Sequence, residues 1–137
     1  MTSRAASANP PNDKFPLMRY NKITGSSPSQ KGDKDMINIE LMQDLSEIVQ
    51  YERSGIPLYV QTANLNVYPD MSAPCHWHED LEWIHILEGQ MCYDVNGRRL
   101  ILEKQDSLMV NARQMHYGYS LKRQDCRFLC ILFHPSL

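Results

Sequence analysis

The dipeptide Asn96-Gly97, set in the run QMCYDVNGRRLIL, constrains this chain more than any other local feature. Asn and Gly accept the positive φ values of a type I′ turn, so the run is expected to form a two-residue β-hairpin. The turn then fixes the pairing: Val95 opposite Arg98, Asp94 opposite Arg99, Tyr93 opposite Leu100, Cys92 opposite Ile101 and Met91 opposite Leu102. Asp94 and Arg99 form an opposite-charge pair on one face, a contact of roughly 0.2–1 kcal/mol.

The same grammar continues on both sides. PLYVQTANLNVYP is expected to be one long strand stopped by Pro69, and LEWIHIL alternates before Glu88-Gly89 turns the chain. SLMVNA, MHYGYS and CRFLCILFHP supply further strands, the last of them closing the domain. Short strands separated by turn signals at such intervals predict an all-β sandwich or barrel. One segment departs from this pattern. From Asn38 to Gln50 the apolar residues Ile39, Leu41, Met42, Leu45, Ile48 and Val49 fit a 3.6-residue period better than a period of two, which predicts a short amphipathic helix. Gly55 and Pro57 end it.

At 137 residues the chain accommodates one domain with a real core. Its longest apolar runs are too short to cross a bilayer as a helix, and its N-terminus lacks the apolar stretch of a secretory signal. The four cysteines, Cys75, Cys92, Cys126 and Cys130, form no C-x-x-C pair, so reduced thiols and a cytoplasmic setting are the expectation. With a net charge of −2, nothing in the totals suggests a nucleic-acid surface, yet the charge is uneven. Residues 1–35 carry six basic and three acidic side chains, whereas residues 36–137 carry eight and thirteen. The first segment, rich in Ser, Pro, Asn and Lys, has too little apolar surface to offset its ordering entropy. It is expected to be a flexible basic leader; an arm docking through Phe15, Leu17, Met18 and Tyr20 is the alternative. Residues 36–137 form the domain.

CHWHEDLEWIHILEG concentrates the chemistry. Residues two apart on a strand share a face, so His76 and His78 project together, as half of a metal site does. Glu82 follows a tight turn at Glu79-Asp80 and shares its parity with Ile84 and Ile86, at the end of an apolar row. A carboxylate there requires a cation or hydrogen-bond donors. His116 is the fourth candidate. Three imidazoles and a carboxylate suit a borderline divalent ion (zinc, iron, nickel or manganese) with one or two positions left open. His85, of opposite parity to Glu82, is expected to face away. His85 and His134 are read as ordinary surface or hydrogen-bonded histidines.

His76-Trp77-His78, three residues, Glu82, six residues and Gly89 resemble the first signature of the cupin superfamily. The second signature is looser: of its Gly-Asp, proline, glycine and histidine, only Asp106 and His116 match. His-x-His-x-Asp-Leu-Glu, Ile-Leu-Glu-Gly, the Val-Asn-Gly hairpin and Asn-x-x-Gln-Met-His further resemble the sensor domain of AraC-type transcriptional regulators. The likeness covers about residues 56–134. It implies a cupin-type antiparallel β-barrel (jelly roll) that binds a small-molecule effector, a sugar or another metabolite, and commonly forms a homodimer. In such regulators a separate C-terminal domain reads DNA. CRFLCILFHPSL offers no recognition helix, so the chain is expected to be an isolated sensor domain or a stand-alone small cupin, with DNA contacted only through a domain absent here. Many regulator cupins have lost metal ligands, whereas all four positions survive here.

Besides His76, His78, Glu82 and His116 as metal ligands, Trp83, Met91, Tyr93 and Tyr117 are expected to shape the ligand pocket or an interface, and no residue is assigned a catalytic role. A metal-dependent cupin enzyme, a dioxygenase or a sugar isomerase, is the alternative to sensing. No second acid–base pair near Glu82 favours it.

Overall fold

A computed structural model describes residues 18–19, 39–51 and 55–137. Nine β-strands run through these residues: β1 (Met18–Arg19), β2 (Glu40–Leu41), β3 (Leu58–Asn64), β4 (Leu81–Glu88), β5 (Gln90–Val95), β6 (Arg98–Glu103), β7 (Ser107–Val110), β8 (His116–Tyr119) and β9 (Arg127–Phe133). Strands β3-β9-β4-β7 form one sheet, β6-β5-β8 a second, and β1 pairs with β2. All pairings between these strands are antiparallel. The two larger sheets share one core, to which β4 and β9 contribute Ile84, Ile86 and Phe128, and β5 and β6 contribute Met91, Tyr93 and Leu102. This is an all-β jelly roll.

Alternation decides which side chains enter that core. On β4, Glu82, Ile84 and Ile86 are buried, while Trp83 is 43% exposed and His85 meets Ser107 on the outer surface. Glu82, Ile84 and Ile86 stand opposite Leu132, Cys130 and Phe128 of β9, and these stand opposite Tyr59, Gln61 and Ala63 of β3. The inner wall is therefore a set of ordered rows, with Glu82 at one end. The predicted hairpin forms with every predicted partner in place, from Val95–Arg98 to Met91–Leu102. Asn96 and Gly97 take φ values of 50° and 81°, as a type I′ turn requires.

Two expectations fail. No helix forms between residues 39 and 50. The chain instead makes a tight hairpin in which Leu41 pairs with Glu47, closed by Ile48 N–H to the Glu40 carbonyl (3.0 Å) and Met42 N–H to the Ser46 carbonyl (2.8 Å). Asp44 accepts bonds from the Ser46 amide (3.0 Å) and hydroxyl (2.6 Å), and Leu45 adopts φ 66°, values foreign to a helix. Tertiary pairing overrides the periodicity here. Ser46 bridges Trp77, and the Trp77 indole donates to the Asp44 carbonyl at 3.0 Å. Burying Ile39 and Leu41 needs only a two-residue strand. The long strand also stops early. After Asn64 the backbone turns through 3-10 segments at Leu65–Val67 and Pro69–Met71, with Leu65 fully buried and its amide bonded to the Cys126 carbonyl (2.9 Å). Pro69 starts the second of these turns and does not mark the end of a strand.

Most of the expected leader lies outside the described residues. Met18–Arg19 is the described part, and its backbone pairs with Leu41 and Glu40.

Backbone constraints at two turns generate opposite stability predictions. Gly89 adopts φ 83°, and a Cβ built on it would sit 2.7 Å from the Asp125 carbonyl oxygen. Gly89→Ala should therefore cost at least about 2 kcal/mol, since the left-handed conformation alone costs roughly 1–2 kcal/mol and a backbone clash adds to it. Exposed Gln105 sits at φ 74° between β6 and β7. Gln105→Gly should stabilise by up to about 1 kcal/mol, because relief of strain exceeds the added unfolded-state entropy. Urea unfolding measures both, and changes of the reverse sign would contradict this account.

Candidate metal centre

Backbone pairing brings the histidines together. His76 and His116 form an antiparallel bridge, with His116 N–H to the His76 carbonyl at 2.8 Å and the reciprocal bond at 3.1 Å. Two residues on, the His78 carbonyl accepts the Arg113 amide at 2.7 Å. Arg113 holds φ 65° in the loop before His116, and its Nε donates to Glu79 at 2.8 Å. Gln105 and Arg113 thus adopt left-handed turns for which glycine is the default. Although the glycines of the second signature are missing, His116 is delivered to the site by a loop tied to His78 and Glu79.

The side chains converge in one orientation. Each imidazole directs Nδ1 at a main-chain carbonyl two residues away: His76 to Pro74 (2.8 Å), His78 to Asp80 (3.0 Å) and His116 to Gln114 (2.7 Å). A carbonyl only accepts, so each Nδ1 carries the hydrogen and each Nε2 is left to face inward. Glu82 Oε2 lies 3.0 Å from His78 Nε2 and 2.8 Å from His116 Nε2. Glu82 Oε1 accepts the Tyr93 hydroxyl at 2.9 Å, and the Cys130 thiol approaches it at 3.7 Å. One carboxylate oxygen is held by the wall while the other is presented to the imidazoles.

The electrostatics follow from this enclosure. Burial by itself raises the Glu82 carboxyl, but the neighbouring His116, His78 and His76 outweigh it and hold Glu82 well below the usual carboxylate range. For His78, burial acts downward, and the bond to Glu82 overcomes it and raises the imidazole. Tyr93 is pushed well above its ordinary value by burial and by the Glu82 charge, so its hydroxyl remains a donor.

These residues fit a divalent ion. The ligand atoms of His76, His78, Glu82 and His116 all lie within 4.8 Å of one another, and all four residues are buried. With bonds of about 2.0–2.2 Å, neighbouring ligands of one ion stand roughly 3 Å apart. The 2.8 and 3.0 Å approaches to Glu82 match that spacing. His116 Nε2 is the sharpest sign. It is fully buried and 2.8 Å from Glu82 Oε2, yet it has no hydrogen-bond partner. A buried ring nitrogen left without a hydrogen-bond partner is free to serve as a metal ligand.

The other expected residues divide cleanly. Met91 and Tyr93 line the interior cavity, together with His76 and Glu82. Trp83 lies on the outer face of the larger sheet beside His85, Leu129 and Ile131. Tyr117 alternates outward from His116 and Gly118 and stacks on Tyr119 at 5.2 Å. Neither is among the residues lining the interior cavity. Trp83 shares its parity with His85, so the reasoning that turned His85 outward applied to it as well.

Glu47 went unrecognised in the sequence. Its Oε2 stands 3.3 Å from His76 Nε2, and its side chain is 13% exposed. A helical reading of residues 38–50 hid it, because nothing in that pattern links residue 47 to residue 76.

If the cluster holds an ion, His78→Ala should abolish stoichiometric metal after purification and lower the melting temperature of the loaded protein. Elemental analysis and thermal melts measure this, and unchanged metal content would remove His78 from the ligand set.

Residues 65–132 match the sequence profile of the cupin domain. The uncharacterized HTH-type transcriptional regulator YdeC of Bacillus subtilis is 23% identical over 100 residues, a match that takes in 73% of this chain and 34% of that protein. The chain thus spans about a third of the length of this relative. A cupin protein from Bacteroides fragilis superposes with a TM-score of 0.51 at 22% identity, covering 58% of this chain and 67% of that one. The polyketide cyclase RemF of Streptomyces resistomycificus gives 0.50 at 24% identity, covering 58% and 56%. Likeness at this level to the two solved structures establishes the fold alone, and cupin folds serve enzymes and non-enzymes alike. By its profile match, its jelly roll and its His-x-His, Glu and Gly spacing, the chain belongs to the cupin superfamily.

Proposed function

We propose that residues 36–137 are the small-molecule-sensing domain of a transcriptional regulator of the AraC type. The observation that carries this reading is the interior cavity of about 90 Å³. Leu65, Ile84 and Phe128 give it apolar walls, and Glu82, His76 and Glu47 gather at one place on its surface. Small-molecule sites combine such walls with a few placed polar groups. A single water needs roughly 10–15 Å³ of such space, so the cavity exceeds the requirement of one water several-fold and suits a compact small molecule. The match to about a third of a longer HTH-type regulator supports the assignment, as does the Val-Asn-Gly and Asn-x-x-Gln-Met-His pattern.

In this reading a divalent ion (zinc, nickel, iron or manganese) held by His76, His78, Glu82 and His116 forms the polar end of the pocket. When bound, such an ion acts as a Lewis acid toward an oxygen of the ligand. Tyr93 orients Glu82, Met91 and Tyr93 contact the effector, and Trp83 and Tyr117 serve an interface outside the barrel. The domain works as a homodimer in the cytoplasm, and DNA is read by a separate domain beyond these residues. Effector binding shifts the regulator only through its differential affinity for two arrangements.

A second reading rests on the intact three-histidine, one-carboxylate set: a metal-dependent cupin enzyme such as a dioxygenase or sugar isomerase. One experiment divides the two. Metal content is measured on protein purified without added ions, followed by thermal shifts and product analysis against a panel of sugars and small acids. Sensing predicts stabilisation by a compound that is recovered unchanged; turnover of any panel compound would replace it with the enzyme reading.

A further inference from the structure

We propose that Glu47 is a fifth protein ligand of the metal centre, supplied from outside the His-x-His, Glu and His signatures by the Glu40–Ile48 hairpin. The inference rests on the metal reading of His76, His78, Glu82 and His116. Its first support is placement. Glu47 N–H donates to the Trp77 carbonyl at 2.8 Å, and Trp77 N–H donates to the Leu45 carbonyl at 3.1 Å. Both bonds fasten the hairpin to the residue between the two histidines. Residue 47 is thereby held beside residue 76, with its carboxylate turned to His76 Nε2 rather than to solvent.

The second support is spacing. The 3.3 Å between Glu47 Oε2 and His76 Nε2 falls in the range expected for neighbouring ligands of one ion. Glu47, His76 and Glu82 also border the same cavity. Glu47 lies outside the set of four whose ligand atoms stand within 4.8 Å of one another, so it reaches the same ion by a small side-chain shift from its place beside His76.

The third support is charge. Three neutral imidazoles and Glu82 leave a divalent ion with a net charge of +1 inside the barrel. A second carboxylate brings the buried assembly to neutrality, which lowers the cost of holding it away from water. Glu47 is then both ligand and selectivity element. An anion from the cavity must displace or repel it, whereas a neutral hydroxyl can approach the ion beside it.

Cobalt(II) titration of the chelator-stripped chain tests this, with visible absorption as the signal and azide added to the loaded protein. Glu47→Gln keeps the shape and removes the charge; Glu47→Asp restores a carboxylate on a shorter arm. The expectation is at least about tenfold weaker cobalt binding in the Gln variant, partial recovery in the Asp variant, and an azide-induced spectral change at lower azide concentration in the Gln variant than in wild type. Melting of the metal-free proteins shows whether each variant is folded. Equal cobalt affinity and equal azide response in wild type and Glu47→Gln would overturn the role of Glu47 while leaving the four-ligand centre intact. Failure of the wild-type chain to bind cobalt would overturn the centre and this proposal together.

Discussion

The reciprocal backbone pairing of His76 with His116 is the contact on which the site depends. It joins the segment before β4 to the first residue of β8, at opposite ends of the signature-bearing region, and sets two imidazoles side by side with ring centres 4.4 Å apart. Around it, the rows of the inner wall set the height of Glu82, and the Tyr93 hydroxyl turns one of its oxygens away. Ligand geometry is thus carried by sheet register. Side chains select the chemistry, but the ladder places them.

Much of this was legible because the informative signals were local. Asn96-Gly97 specified its own turn, and the turn specified five pairs without reference to the rest of the chain. The parity of Glu82 with Ile84 and Ile86 located the carboxylate in the wall for the same reason: a period of two needs no knowledge of the partner strand. His76, His78, Glu82 and His116 form the buried cluster that could hold an ion.

What was not legible depended on partners far away in sequence. The spacing of Ile39, Leu41, Leu45 and Ile48 satisfies a helix, and only Trp77, some thirty residues on, makes a hairpin the better solution. The strand ending at Asn64 is cut because Leu65 is needed in the core, where its amide finds the Cys126 carbonyl. Glu47 was lost with the first of these errors. The second signature was underestimated for a different reason. Gln105 and Arg113 lack the residue type that favours a left-handed backbone, yet both adopt it, and the Arg113 amide and guanidinium bonds hold its turn in place.

The three Nδ1–H bonds carry a wider implication. In many metal sites the outer partners of histidine are carboxylates or amides that mutation can exchange, giving a graded control over basicity. Here those partners are the carbonyls of Pro74, Asp80 and Gln114, which are properties of the chain's path and survive any substitution that preserves it. Substitutions that alter the cluster's basicity without moving the backbone therefore act on the acidic side, through the Tyr93 and Cys130 groups that touch Glu82.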